Sequence, residues 1–287
     1  MKADTLPPWQ RSSSSEAPEI ERYALIELSH LPVSARTALF NELVQDSHYW
    51  PLVKDESQPH LQREGPWVLQ VRQDKLDKLL ALDGIVCALQ GWIESPLTGT
   101  ELASHLAPAM AVENPQKQRS LLRFYLPDVI TQLHKDALEN PANALFLGVT
   151  RWWYRDATLG WTALEGKALP ESLPPWQLTV DEARWQSLHG EPEVMQLTAE
   201  LVDFSPSLFE GICLCERPRQ VAKALMQASN YGLTAIADKR TFVYVQLSQG
   251  NDAWASEDMQ GLLQRASGGE ATLADLLTTT YQQAEEC

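Results

Sequence analysis

The sequence predicts a mixed fold, α/β in the α+β sense: a β-sheet lobe with flanking helices over residues 19–170, followed by an all-helical lobe over 171–287. Three observations carry this. Up to about residue 165, short apolar runs bounded by turn residues alternate with amphipathic stretches, the pattern of strands interleaved with helices. At 169–176 the chain reads LPESLPPW, a proline-rich joint, and beyond it apolar residues return at helical spacing. The length of 287 residues also exceeds the ~100–150 of a usual single domain.

Residues 1–18, with the run Ser12 to Ser15, carry too little apolar surface to order alone and are expected to be a disordered tail. YALIEL at 23–28 reads as the first strand. SARTALFNELVQD places Leu39, Phe40 and Leu43 at helical spacing with Ser34 as N-cap, and Pro51 bars its continuation through Trp50. GPWVLQV at 65–71 is a second strand, DKLDKLLALD a short helix, and GIVCALQGWIES at 84–95 a further strand with its approach. TGTELASHLAPAM follows as a helix with Leu102 and Leu106 on one side. MAVENPQKQRSLLRFY then reads as a hairpin turning at Asn-Pro-Gln-Lys. Pro127 and Asp128 open the helix PDVITQLHKDAL, and ALFLGVTRWWYRD and LGWTAL are two more strand-like runs joined at Asp156.

In the second lobe, Thr179 and Glu182 of LTVDEARWQSLHG have the spacing of a capping box. Four further helices are expected over 191–204, 216–232, 256–269 and 272–286, with Gly232 and Gly268 at C-terminal caps. TFVYVQLSQG at 241–250 is β-branched enough for a strand, but its helical surroundings favour helix.

Residues 119–129, RSLLRFYLPDV, set an arginine inside an apolar run that proline then ends. Leu121, Leu122, Phe124 and Tyr125 are too continuous in apolarity for a strand with one wet face, which predicts a central strand. Arg123 on such a strand needs a carboxylate or carbonyl partner, or else faces another molecule at the end of the sheet. Tryptophan is the other unusual feature, ten in all, including the adjacent pair Trp152 and Trp153. Neighbours on a strand point to opposite faces, so one of the pair is expected to leave the first core. With Trp161, it would pack beneath the helical lobe or meet another protein, and a tryptophan at an interface centre is worth ~2 kcal/mol or more. LPPW occurs twice, at 6–9 and 173–176; Trp9 and Trp176 could each anchor otherwise loose chain.

No catalytic signature emerges: no G-x-S-x-G, no H-E-x-x-H, no glycine-rich phosphate loop and no paired C-x-x-C. The six histidines have no metal-ligand spacing, and His105 and His134 fall on helices where a structural role is expected. Cys87, Cys213, Cys215 and Cys287 suit neither a disulfide framework nor a zinc site, so no metal or cofactor is expected. A formal net charge of −15 argues against nucleic acid and anionic membranes as main partners. Without an apolar leader or an apolar run of ~18 residues, a cytoplasmic location is expected.

ERYALIEL, YWPLV, REGPWVLQV, GWIESPLTGTELASHLAPAM, LLRFYLPDVITQL and FLGVTRWWYRD, taken in order, resemble a family of bacterial type VI secretion adaptors. These are the Tap/VasW-like effector chaperones, and the resemblance spans roughly residues 20–155. Two positions depart from the family pattern. Glu27 replaces a usual aspartate, and Leu126 replaces the aspartate before Pro127, leaving Asp128 as the candidate partner for Arg123. The resemblance implies binding, not catalysis. Such a protein holds a toxic effector and loads it onto the VgrG spike or its PAAR-type tip in the cytoplasm. Trp92, Arg123, Trp152 and Trp153 are the residues expected near the partner surface or the seam between lobes. A hydrolase or effector with a dispersed active site, and a structural component of the secretion apparatus, remain the alternatives.

Overall fold

The computed structural model describes residues 7–11, 20–27, 29, 31, 33–46, 48–53, 62, 64–72, 74, 76–83, 88–140, 143–155, 160–167, 173, 175–212, 215–250 and 252–285. The chain divides into two units, Met1–Leu188 and His189–Cys287. The first is a mixed α+β body and the second is helical, as expected.

The first unit is organised by β1 (Glu21–Glu27), whose side chains are buried on both faces from Tyr23 onward. Tyr23 and Leu25 enter one core while Ala24 and Ile26 enter another, because successive strand residues point to opposite faces. That makes β1 a central strand and explains its unbroken apolar run. It pairs antiparallel with β3 (Pro66–Gln70) and β4 (Leu89–Ser95). β2 (Tyr49–Pro51) closes one side, and β7 (Arg151–Arg155) and β8 (Trp161–Glu165) extend the other. The full order is β2-β3-β1-β4-β7-β8. Pro51 sits on the edge strand, where its missing N–H costs no ladder bond. In β4, a Cβ on Gly91 would stand 2.7 Å from the Trp153 carbonyl oxygen, so this crossing of β7 admits only glycine without a shift.

Helices cover both faces. α1 (Val33–Asp46) and α2 (Leu76–Asp83) bring Ala35, Leu39, Leu76 and Leu79 to the Ala24/Ile26 face. The side chains of Phe40 and Leu43 lie outside the described residues. α3 (Gly99–Leu106) brings Leu102 and Leu106 to the opposite face, and α4 (Pro127–Glu139), with Pro127 in its first turn, brings Ile130 and Leu133 there. A capping box starts α3: the Thr98 hydroxyl accepts from Glu101 N–H at 3.4 Å and the Glu101 carboxylate accepts from Thr98 N–H at 2.9 Å.

The hairpin expected over 110–125 forms, but its second strand is not central. β5 (Ala111–Glu113) and β6 (Arg119–Leu121) belong to a separate small sheet of order β6-β5-β9, in which β6 is an edge. Leu122, Phe124 and Tyr125 are buried because the chain leaves the strand and turns into the core. The Leu126 N–H donates to the Arg123 carbonyl at 3.1 Å, closing that turn directly before α4.

β9 (Leu178–Thr179) pairs parallel with β5, although no strand is expected past residue 170. α5 (Glu182–His189) also packs Trp185 and Leu188 against the first core, so the unit boundary falls at 188/189 and not at 170/171. Because Thr179 is taken into β9, it is not the cap of α5. Asp181 serves instead, its carboxylate accepting from Arg184 N–H at 2.7 Å.

The tail expected over 1–18 is structured at 7–11. A 3₁₀ turn at Pro8–Arg11 sets Trp9 edge-on to Trp92, ring centroids 5.0 Å apart. The rest of that segment lies outside the described residues. Trp176 donates from Nε1 to the His105 carbonyl at 2.9 Å, so both LPPW tryptophans are anchored.

In the second unit, α6 (Pro192–Phe204) and α7 (Glu216–Asn230) share a core built on Val194, Leu197, Phe209, Val221 and Val243. α9 (Glu257–Ser267) and α10 (Leu273–Glu285) share another with Phe242, Val245 and Trp254. α8 (Ile236–Gln249) feeds both cores, which accounts for its apolar, β-branched reading and settles 241–250 as helix through Gln249. Gly232, with φ of 81°, ends α7 as expected. Gly268 is the C-cap of α9, as expected, and Gly269, with φ of 75°, takes the left-handed position after it.

Candidate functional site

The arginine of RSLLRFYLPDV meets its partner at the end of β1. Glu27 lies on the Tyr23/Leu25 face and is 2% exposed. The turn after β6 swings Phe124 and Tyr125 into the same core, both fully buried. The Tyr125 hydroxyl donates to Glu27 Oε2, and the Ser29 hydroxyl donates to Glu27 Oε1 at 2.8 Å. Arg123 Nε stands 3.7 Å from Glu27 Oε2, its side chain 42% exposed. A buried carboxylate is tolerable only when its lone pairs are occupied and a cation is near, and here two hydroxyls and a guanidinium meet that need. Burial holds the Tyr125 phenol well above its ordinary value; the Glu27 charge and hydrogen bond add to this, and Arg123 opposes it. Tyr125 is therefore a neutral donor throughout the physiological range.

Phe124 carries this corner onto the sheet. Its ring is T-shaped against Trp152, centroids 5.9 Å apart, and Trp152 also meets Phe146 at 6.4 Å. Arg123 and Trp152 are thus brought together through one aromatic ring. Trp152 is 0% exposed and supports the corner from beneath.

Trp92 and Trp153 lie on the opposite face, directly paired across β4 and β7. Trp92 is 1% exposed under Trp9, with Trp161 at 6.2 Å. Trp92 and Trp152, expected near a partner surface or the seam between lobes, are both core side chains of the first unit. Trp153 is half-buried beneath the Arg151 guanidinium, 5.5 Å from ring centroid to Cζ. On that face a charge ladder crosses four strands: Arg22–Glu94 at 3.2 Å, Glu94–Arg151 at 3.5 Å and Arg151–Glu165 at 2.9 Å. Facing opposite charges across strands contribute only modestly each, and the arginines also cover Trp9 and Trp153.

The two helix histidines are placed by packing. His105 is buried against Trp176, and burial lowers its basicity, with the Ala144 and Leu145 carbonyls acting the other way. His134 Nε2 lies 2.8 Å from the Glu165 carbonyl oxygen. Among the described residues no three His, Cys, Asp or Glu side chains are grouped as a metal site.

Glu27, Ser29 and Tyr125 were not expected as site residues. Arg123 has a carboxylate neighbour that was not expected, Glu27 at the end of β1, while Asp128 lies in the first turn of α4. The residues that converge at this corner come from the two ends of one stretch of sequence. Residues 23–142 match the family model described as a domain of unknown function, DUF4123. The DUF4123 segment begins in β1 and ends just past α4, so it contains Glu27, Arg123 and Tyr125 and stops before Trp152. No curated protein and no solved structure matched the chain. No helix among the described residues is long and apolar enough to cross a membrane.

Proposed function

We propose that this protein is a cytoplasmic type VI secretion adaptor that binds a toxic effector and loads it onto the VgrG spike or its PAAR-type tip, with no reaction of its own. The observation that carries the reading is the coincidence of the DUF4123 match with the motif pieces of the adaptor resemblance. The separated motifs YALIE and RFYLP, both inside residues 23–142, build one corner. At that corner a buried carboxylate fixes Arg123 while leaving its guanidinium partly in solvent.

Such an arrangement suits recognition. A guanidinium held from behind keeps its outward donors in place and loses less side-chain freedom when a partner arrives. Arginine is also among the residues most enriched at the energetic centres of interfaces. The acidic chain, at −15, favours a more basic partner at long range, while the local contacts at Arg123 choose an acidic group.

The test is co-purification. Tagged protein is mixed with its cognate effector and VgrG spike protein, and retention is measured at physiological salt. Retention of the effector, and of the spike in its presence, is expected. A folded protein that retains neither would overturn the proposal, as would turnover of a substrate at a defined pocket.

A further inference from the structure

The free side of the β5–β6 hairpin has a pattern that the packing of the fold does not use. From Arg119 to Phe124 exposure alternates. Ser120, Leu122 and Phe124 turn inward by degrees, whereas Arg119, Leu121 and Arg123 are exposed, Leu121 at 61%. The outward row therefore reads Arg–Leu–Arg, with about 7 Å between Arg119 and Leu121 along the strand and Arg123 just beyond its end. In a chain of net charge −15, two guanidiniums flank an exposed leucine, Arg123 beside Glu27 and Arg119 across from Glu113.

The ladder to β5 decides which backbone groups remain free. Leu122 N–H donates to the Met110 carbonyl at 2.9 Å, and Asn114 N–H donates to the Gln118 carbonyl at 3.1 Å. With Ala111 opposite Leu121 and Glu113 opposite Arg119, the bonded positions of the strand are 118, 120 and 122. The N–H and C=O groups of Arg119 and Leu121 consequently point away from β5. No described strand pairs on that side, since β6 ends its sheet. The Leu121 carbonyl meets the Ser120 hydroxyl at 3.5 Å, the outer limit for such a bond. Arg119 has no ion pair among the described residues. The carboxylate opposite it, Glu113, is turned to Lys117 Nζ at 2.9 Å and Gln177 Nε2 at 3.3 Å.

We infer that the outer edge of β6 is a docking strand for an extended polypeptide segment whose aligned positions read acidic, apolar, acidic. The segment adds a strand through the backbone groups of Arg119 and Leu121, its carboxylates meet Arg119 and Arg123, and its central apolar side chain covers Leu121. Main-chain bonds hold it, and the charge pattern selects it. The inference rests on the reading of the protein as a polypeptide-binding adaptor and adds the chemistry of the segment bound.

Phage-displayed random peptides are panned on the full-length protein, and enriched peptides are then titrated against wild type, Arg119→Glu and Leu121→Pro. Proline at 121 removes an outward N–H and leaves the ladder to β5 intact, so the hairpin survives. Circular dichroism verifies that both variants fold. The expected result is enrichment of carboxylates two residues to either side of an apolar residue, with affinity about tenfold or more weaker for each variant. Enrichment of other patterns, no enrichment, or unchanged affinity in the variants overturns the inference. So does a dimer of the wild type that Leu121→Pro dissolves, because a second copy would then own the edge. The co-purification experiment keeps the two readings apart. If wild type and both variants retain effector and spike equally, the edge falls and the adaptor stands. If wild type retains neither, the adaptor falls and peptide panning alone decides the edge.

Discussion

Tyr125→Phe isolates the contact on which the corner depends. The substitution removes one oxygen from a fully buried ring and leaves the T-shaped contact with Phe124, at 5.5 Å, in place, so no sizeable cavity opens. What disappears is a hydrogen bond to a carboxylate that is 2% exposed. Bonds to charged groups contribute about 1.5–3 kcal/mol, and deleting a donor also leaves part of a buried acceptor unsatisfied. Glu27 keeps Ser29 at 2.8 Å and Arg123 at 3.7 Å, which holds the expected loss near the lower half of that range, about 2 kcal/mol.

The assay follows from tryptophan placement. Of ten tryptophans, Trp254 alone lies in the second unit, so tryptophan fluorescence during urea or thermal unfolding reports almost wholly on the first. For a body of this size, 2 kcal/mol corresponds to a fall in Tm of about 4–8 °C. Combining Tyr125→Phe with Glu27→Gln should give a coupling of about 1 kcal/mol or more, since the two groups touch. A loss below about 0.5 kcal/mol with no coupling would refute the reasoning, because a surface substitution does as little.

Other outcomes follow from the same structure. Tyr23 and Tyr125 both have phenols raised above the ordinary 10.0, chiefly by burial; the folded state keeps protons that the unfolded state releases, so stability should fall as pH rises past about 10, and less steeply in Tyr125→Phe. His105 is shifted the opposite way by burial; its contribution is present above the ordinary value of 6.5 and should be lost as pH falls below it, a slope that His105→Gln should flatten in pH-dependent unfolding. Gly166→Ala would put a Cβ 1.6 Å from the Val149 carbonyl oxygen and should cost about 3 kcal/mol by overpacking, whereas Gly261→Ala in α9 meets nothing within 4 Å and should stabilise by about 0.5–1 kcal/mol, both read by urea denaturation. Trp9→Ala should destabilise the first unit by about 1–2 kcal/mol, because it removes the ring on Trp92 and the surface beneath the Arg22 guanidinium, as circular dichroism would detect.

Elements with several residues of regular pattern were legible in the sequence. The strands around Tyr23–Ile26 and Trp67–Leu69 are short, apolar and bounded by turn residues, and the helices of the second unit repeat leucines at helical spacing. Where contacts come from afar, the pattern misleads. β9 is two residues long and exists because β5 lies beside it, so nothing local announces it. The apolar continuity of Leu122, Phe124 and Tyr125 has two possible causes, a strand buried on both sides or a turn plunging into a core, and periodicity does not separate them. Thr179–Glu182 and Thr98–Glu101 have the same capping-box spacing; the second forms because Thr98 is free to cap, and the first does not because strand pairing claims Thr179.

Of the corner, Arg123 was legible in the sequence as a site residue, and Glu27, Ser29 and Tyr125 were not. The need of Arg123 for a carboxylate can be argued from burial alone, and the nearest acid in sequence is Asp128. An acid in the first turn of a helix has the helix N-terminus to stabilise it. Glu27 has no such local compensation: it ends a central strand on the inner face, where an acid is costly unless something arrives from elsewhere. An inward acid with only the Ser29 hydroxyl as a local donor among the described residues and an arginine beside a buried tyrosine are complementary deficits, and β1 supplies one while the turn after β6 supplies the other. The same logic separates Arg123 from Arg119. Glu27 holds Arg123 from behind, whereas Arg119 has no ion pair among the described residues, so a partner that neutralises Arg119 and Arg123 together gains more at the first than at the second.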